Sequence, residues 1–210
     1  MSKPNHKLFL WILLLFLLVL TAIVASATTL APMSFDELTR RATAIVRVRC
    51  VGVQSRWSGG EVWTDSRFVI LEEAKADAFG ADQHITTPVT AKVDSPAAPL
   101  TLGNIVVRQL GGSIDGLHSR VEGVPQFQPG EEAYLFLWRR AAEPYRVLGW
   151  VQGTFRVTRD QRSGVARVTQ DSALTVFHGE TREFQSEGIR NMSLAAFQQK
   201  LRRSLNATAR

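Results

Sequence analysis

The stretch from Gln109 to Leu137 contains the side chains that come closest to a known catalytic pattern. Ser113, Asp115 and His118 are the three residue types of a serine-hydrolase triad. Three such residues so close together on a turn cannot generally face one another, and no G-x-S-x-G motif presents the serine on a strand-to-helix elbow. The spacing therefore argues against a hydrolase here.

The glycines of the same stretch could instead suggest phosphate binding. A phosphate cradle needs glycines that open a helix, followed by Lys-Ser/Thr or by a further glycine at fixed spacing. The residues after Gly116 alternate as in a strand, and neither signature is present. We therefore interpret Gly111, Gly112 and Gly116 as residues that permit tight bends, and Pro125 and Pro129 as residues that preset the backbone of turns.

Metal ligands and acid–base pairs are sparse as well. The histidines after residue 27 are His84, His118 and His178, and no H-x-x-x-H pair could present two of them on one helix face. His178 and Glu180 lie two apart, so a strand would direct both to one side. We expect no metal and no cofactor, and an unrecognised active site would have to bring His178, Glu180 and Glu132 together.

The start of the chain resembles an export signal. A basic beginning precedes an uncharged run at residues 8–24, and Ala25-Ser26-Ala27 supplies the small residues of a cleavage site. These features predict a signal peptide at residues 1–27, a tail at 28–33, and export to the periplasm or beyond the cell. The alternative is an uncleaved membrane anchor through residues 8–24, because that run approaches the length of a bilayer span.

Composition limits the partners and the means of stabilisation. The chain has 25 Lys and Arg against 19 Asp and Glu, and its arginines are spread along the sequence. Dispersed basic residues argue against a nucleic-acid partner. Cys50 is the single cysteine, so an intrachain disulfide is excluded. Because Cys50 alternates with Val46 and Val48 along a predicted strand, we expect a buried thiol.

Local patterns predict a helix and then a β-hairpin at the start of the domain. Ser34 and Glu37 form a capping-box pattern before a helix from about residue 35 to residue 42. A period of two then runs from Ala44 to Trp57 and from Val62 to Glu73, with a Ser-Gly-Gly turn between them. Residues 74–99 are rich in Ala, Asp and Pro, which predicts a long excursion.

The remaining patterns predict further strands and a final helix. The strands are expected at residues 101–110, 133–138, 145–158 with a break at Gln152-Gly153, 165–169 and 174–177, followed by a polar, irregular segment at 179–191. Both faces of the 133–138 strand are apolar, which favours a central position with cover on both sides. Leu194, Phe197, Leu201 and Leu205 repeat at helical spacing. They predict an amphipathic helix at about 193–206 that docks on the sheet, with a basic membrane-surface helix as the alternative.

Together these elements predict that residues 34–210 form one mainly β domain. Short strands with a helix at each end favour a small antiparallel barrel or sandwich, which could be OB-like.

Several short motifs, taken in order, resemble a group of uncharacterised exported bacterial β-domain proteins. The motifs are Ala44-Ile45-Val46, Ser55-Arg56-Trp57, Trp63-Thr64-Asp65, Val106 to Gly112, Gly123 to Phe127, Gly130-Glu131-Glu132, Phe136-Leu137 and Gln152 to Val157. This resemblance implies export and a compact β domain, and it brings no catalytic residue with it.

A second resemblance is to netrin-type modules and tissue inhibitors of metalloproteinases. Residues Ala44 to Val51 and Gly130 to Phe136 are similar to two strands of their OB-like barrels. Those inhibitors use an N-terminal cysteine and several disulfides, which this chain lacks. The resemblance therefore implies a fold more than an inhibitory activity.

The sequence thus predicts an exported, non-enzymatic β domain that binds a protein or an envelope component. The contact is expected in the loop from Gly111 to Gly130, through Asp115, His118, Arg120 and Phe127. Two other functions stay open. One is regulation or inhibition of an exported peptidase by a barrel edge, and the other is an enzyme with the unrecognised site named above. A membrane contact is expected only through residues 8–24.

Overall fold

The computed structural model of the protein describes residues 31–76, 103–140, 143–172 and 188–208, together with the backbone of residues 174–178 and 183–187. The predicted signal peptide or anchor and most of the excursion predicted at 74–99 lie outside these residues. Within the described ranges, no helix has both the length and the apolar character that a bilayer crossing requires.

The first two strands form the long hairpin that the sequence predicts. Strand β1 spans Ala44–Ser58 and strand β2 spans Glu61–Lys75. The turn residues Gly59 and Gly60 have φ of 63° and 80°. Positive φ at both central residues is what a tight hairpin turn with the twist of its strands requires. The register shifts between Cys50 and Gly52, so Val51 is an extra residue on β1.

The other strands complete one main sheet and two short hairpins. They are β3 (Gly103–Leu110), β4 (Gly112–Ile114), β5 (Leu117–Ser119), β6 (Glu132–Trp138), β7 (Arg146–Val147), β8 (Thr154–Arg159), β9 (Ala166–Gln170), β10 (Leu174–His178), β11 (Glu183–Glu187) and β12 (Met192–Ser193). The main sheet has the order β12-β9-β8-β6-β1-β2-β3, with β7 paired to β6, and all its ladders are antiparallel. The mainly β, antiparallel fold is confirmed.

The described strands of the main sheet do not close into a barrel. Its edge strand β3 approaches the β6–β7 end through an isolated bridge between Val107 and Tyr145. The N–H of Arg108 donates to the carbonyl of Tyr145 at 2.8 Å. Since no described ladder joins the two edges of the sheet, the arrangement corresponds to the sandwich-like alternative.

Strand β6 is central and covered on both faces, as its composition predicts. Ala133, Leu135 and Leu137 face one core, which they share with apolar residues of β1, β2 and β3. Tyr134 and Phe136 face a second core, which lies against the helices. Cys50 belongs to the first core and is 1% exposed, so the buried thiol is confirmed. Burial raises the pKa of this thiol.

Both predicted helices are present and capped by serine. Helix α1 spans Phe35–Arg41, and the N–H of Glu37 donates to Oγ of Ser34 at 3.1 Å. Helix α2 spans Leu194–Thr208, and the N–H of Ala196 donates to Oγ of Ser193 at 3.3 Å. Phe197 and Leu201 of α2 are buried in the second core, so this helix docks on the sheet.

Two segments differ from the sequence predictions. The broken strand predicted at 145–158 is two strands, β7 and β8, separated by a 3₁₀ turn at Trp150–Gly153. The strand at 174–178 does not end the β structure, because it pairs with β11 inside the segment predicted to be irregular. The polar sequence Glu183–Glu187 lacks the apolar alternation by which a strand is recognised.

Candidate functional site

The stretch singled out in the sequence folds as a small hairpin beside the far end of β1. Strands β4 and β5 pair from Gly112–Ser119 to Ile114–Leu117, and Asp115 and Gly116 form the turn with φ of 49° and 79°. Asp115, His118 and Arg120 are all exposed on this hairpin and its continuation. These three predicted contact residues therefore lie on one accessible segment.

Phe127, the fourth predicted contact residue, is placed differently. Its side chain is 6% exposed and belongs to the first core. Its ring meets that of Phe68 edge-on at 5.0 Å between centroids, and the guanidinium of Arg156 lies 5.1 Å from its centroid on another side. The expectation that Phe127 offers its ring to a partner is thus corrected, because the ring anchors the loop to the sheet.

Arg156 and Gln109 hold the rest of that loop in place. Arg156 on β8 donates to the carboxylates of Asp171 and Glu131 and to the carbonyl of Gln126. The buried side chain of Gln109 donates to the carbonyl of Pro125. Charge-assisted bonds to a partly buried arginine are among the stronger polar contacts in proteins. The segment from Pro125 to Glu131 is therefore bonded to β3 and β8.

A chain of hydrogen bonds attaches the β4–β5 hairpin to β1 and β2. Thr64 Oγ1 donates to the carbonyl of Gly111 at 2.6 Å, so Ser55 Oγ, 2.9 Å away, donates to Thr64. The N–H of Ser113 donates in turn to Ser55 Oγ at 3.2 Å. Gly112 sits against both hydroxyls with φ of 140°, where a Cβ would overlap Thr64 Oγ1 and Ser55 Oγ.

Two open cavities lie along this junction. One has a volume of about 300 Å³, and its lining includes Val53 and Ser55 of β1, Thr64 of β2, Gln109 of β3, and Phe127. The other, of about 200 Å³, lies between Trp57 and Leu117. We call the surface made of residues 51–57, the β4–β5 hairpin and these two cavities the distal surface.

The edge of β1 at the distal surface has no strand partner among the described residues. The pairing of β1 with β6 ends at Arg49 opposite Glu132, and Cys50 adds two backbone hydrogen bonds to Gly130 and Glu131. From Gly52 to Ser58, β1 pairs with β2 on its other side, and no second described strand pairs with it. Since alternate residues of a strand direct their N–H and C=O groups to each side, this edge presents backbone groups for another strand.

The serine and histidine of the hairpin do not form a triad. Ser113 Oγ lies 2.7 Å from Nδ1 of His118, and both residues are exposed. In a triad the serine contacts Nε2 and a carboxylate holds Nδ1, so the ring nitrogen used here is the wrong one. Among the described contacts of His118, none is to a carboxylate.

Of the three residues of the possible unrecognised active site, the structure describes the side chain of Glu132 alone. Glu132 is buried and interacts with three arginines, at 3.3 Å to Arg47, 3.5 Å to Arg49 and 3.4 Å to Arg159. The side chain of His178 and all of Glu180 lie outside the described residues, as does His84. Across the part of the chain that is described, no three His, Cys, Asp or Glu side chains cluster as metal ligands would.

Comparison with known proteins gave no relative. No protein-family model, no curated protein and no solved structure matches this chain.

Several residues of the distal surface were missed by sequence reasoning. The period of two places Val51, Val53 and Trp57 in a strand, and Leu117 begins a second stretch of strand-like alternation. Neither pattern indicates that these side chains face a partner. The available signal was strand length, because β1 has 15 residues whereas its neighbour β6 has 7. A strand that much longer than its neighbour extends beyond the edge that this neighbour can pair with.

Replacing Gly112 with alanine should destabilise the protein by about 2 kcal/mol, because the new methyl group strains the backbone and displaces the Ser55–Thr64 hydrogen bonds. Gly116→Ala is the matched control. Its φ is also positive, at +79°, but nothing lies near its Cβ position, so only about 1 kcal/mol of backbone strain is expected. Urea unfolding of the two variants measures the difference, and equal losses would show that the hydroxyl contacts contribute nothing.

Proposed function

We propose that this chain is an exported, non-enzymatic binding module that holds an extended segment of another protein at its distal surface. The observation that carries the proposal is the placement of exposed apolar side chains. Of the five large hydrophobic residues exposed in the described ranges, Val51, Val53, Trp57 and Leu117 lie at this surface, with exposed fractions of 38% to 52%. Apolar side chains that are exposed together commonly mark interaction surfaces.

The edge of β1 that no described strand covers supports an extended partner segment. A peptide that adds to a sheet edge gains main-chain hydrogen bonds, and pockets for its alternate side chains give specificity. Here the edge from Gly52 to Ser58 runs beside the cavities lined by Val53 and Trp57. Both elements of this binding mode, the backbone edge and the side-chain pockets, are therefore adjacent.

The polar groups of the hairpin are suited to selecting among such segments. Asp115, His118 and Arg120 are exposed beside the apolar residues, and none of them has a described ion pair with a neighbouring side chain. Charged groups at the rim of an interface contribute to specificity and association rate more than to affinity. The proposal assigns this selecting role to three of the residues that the sequence indicated.

The test is affinity capture with a matched pair of variants. The mature chain is immobilised as wild type, as the double variant Trp57→Ser, Leu117→Ser, and as Val165→Ser. Val165 is 45% exposed but is not part of the distal surface, so it controls for the loss of an exposed apolar group. We expect a protein from the native envelope to be retained by the wild type and the control and lost from the double variant.

A second measurement locates the contact. The retained protein is purified and added to the chain, and amide hydrogen exchange is followed. Slower exchange at residues 51–58 is expected, because new main-chain hydrogen bonds form there. Equal retention by all three forms, or exchange at 51–58 that the partner leaves unchanged, would rule out binding at this edge. If the retained protein is a peptidase, we would infer that the distal surface regulates that peptidase.

A further inference from the structure

A larger cavity lies where α1, α2 and β12 meet, and it shares no lining residue with the two cavities of the distal surface. Its volume is about 580 Å³, within the range of small-molecule sites. Met33, Phe35, Ile189 and Met192 give it apolar walls. Below it, the ring of Phe35 packs edge-on against Phe136, Phe155 and Phe197, at 5.6 to 5.8 Å between centroids. The floor of the cavity is thus continuous with the second core.

Two cations line the same cavity. Lys200 projects from α2, and its Nζ lies 5.0 Å from the centroid of the Phe35 ring. Arg190 donates through Nη2 to the carbonyl of Ser172 at 2.9 Å and through Nη1 to that of Gln170 at 3.4 Å. These neutral acceptors orient the guanidinium but do not neutralise it, and other N–H groups of the fork remain for a ligand.

Acidic side chains are absent from the described lining of the cavity. The nearest acids along the described chain are engaged elsewhere, since Asp36 accepts from Ser204 at 2.6 Å and Asp171 is held by Arg156. The cavity therefore combines apolar walls with two positive charges that lack a described anionic partner. Arg190 is exposed and Lys200 is half-buried. A ligand without a negative charge that covers them would remove part of their hydration without compensating their charge.

We propose that this cavity binds a small monocarboxylate with an apolar body, such as a medium-chain fatty acid. The planar carboxylate accepts from the guanidinium of Arg190 and the ammonium of Lys200. The apolar body packs between Met33, Ile189 and Met192, where removal of its surface from water supplies affinity. This site is distinct from the distal surface, so neither proposal depends on the other.

Octanoate is the probe, and three analogues each change one of its properties, the negative charge or the apolar body. Octanamide lacks the charge, octylammonium reverses it, and acetate lacks the apolar body. Titrations are followed by calorimetry and by methyl chemical shifts of the full mature chain. Octanoate should bind with a dissociation constant below about 1 mM, given the usual affinity per ligand atom, and each relative should bind at least about tenfold more weakly.

Substitutions then test the assignment of the charge. Lys200→Gln should weaken octanoate binding about tenfold, the effect of one lost charge-assisted hydrogen bond. Arg203→Gln is the control, because Arg203 is an exposed cation of the same helix that does not line the cavity. The affinity of the Arg203→Gln variant for octanoate should equal that of the wild type.

Four results would overturn the inference. The first is absence of octanoate binding by the folded wild type, and the second is equal affinity for octanoate and octanamide. The others are equal affinity of the Lys200→Gln and Arg203→Gln variants for octanoate, and chemical-shift changes centred on Val53 rather than on Ile189 and Met192. Loss of partner capture at the distal surface would leave this proposal unaffected.

Discussion

Replacing Phe197 with alanine is expected to lower the free energy of unfolding by about 4 kcal/mol, which is the loss typical of truncating a buried phenylalanine. Phe197 is fully buried. Its ring lies 4.8 Å from the ring of Tyr134 and 5.3 Å from that of Phe155, measured between centroids. Removing it leaves a cavity between α2 and the central strands, because the two rings on the sheet cannot move to fill it.

Urea unfolding followed by tryptophan fluorescence measures this loss. Phe197→Leu keeps an apolar side chain in place and should lower the free energy of unfolding by about 1 to 1.5 kcal/mol. Arg203→Ala lies on the exposed face of the same helix and should change stability by less than about 0.5 kcal/mol. If Phe197→Ala costs no more than Phe197→Leu, α2 contributes little to the stability of the sheet.

The second large effect is expected for Glu132. Its carboxylate pairs with arginines on the face of the sheet to which Tyr134 and Phe136 also belong. Its side chain is 8% exposed and contacts three arginines, Arg47 and Arg49 on β1 and Arg159 on β8. Glu132→Gln keeps the size of the side chain but removes the negative charge. We expect a loss of about 3 kcal/mol, because the arginines then repel one another without the carboxylate between them.

Controls separate this effect from a general loss of charge. Glu61 is exposed at the β1–β2 turn, so Glu61→Gln should change stability by less than about 0.5 kcal/mol. Arg159 is half exposed, and Arg159→Gln in the Glu132→Gln background should restore part of the loss by removing one uncompensated charge. Equal stability of wild type and Glu132→Gln would show that water compensates the arginines fully.

The network beyond Glu132 links the sheet to the C-terminal helix. The hydroxyl of Tyr134 donates to Glu72 at 2.8 Å, and Gln198 of α2 donates to the same carboxylate at 3.0 Å. Arg47 also contacts Glu72, at 3.3 Å. Burial and the neighbouring carboxylate raise the pKa of Tyr134 well above its usual range. The phenol therefore remains a hydrogen-bond donor at all physiological pH values.

Much of the local structure followed from patterns within short windows. The Ser-Gly-Gly turn and the flanking period of two predicted the β1–β2 hairpin, because the turn and both strands are neighbours in sequence. Apolar residues on both faces predicted the central position of β6, and helical spacing predicted the docked face of α2. Cys50 was placed in the core by the same alternation.

The candidate sites depended on tertiary structure. Phe127 and Arg120 look equally suitable for contact in the sequence, but Phe127 is buried because Phe68 and Arg156, distant along the chain, enclose its ring. The three arginines converge on Glu132 only through the register of β1, β6 and β8. The cavity with Arg190 and Lys200 likewise joins the segments around both helices.

The sequence by itself therefore determined the hairpin, the two-sided central strand and the capped helices, since each depends on the spacing of neighbouring residues. Only the tertiary structure decided which side chains are exposed together, which described acids pair with which cations, and where the described partners of β1 end. These properties are set by strand order and by register between distant segments, and a one-residue shift in register would reverse the faces of a strand.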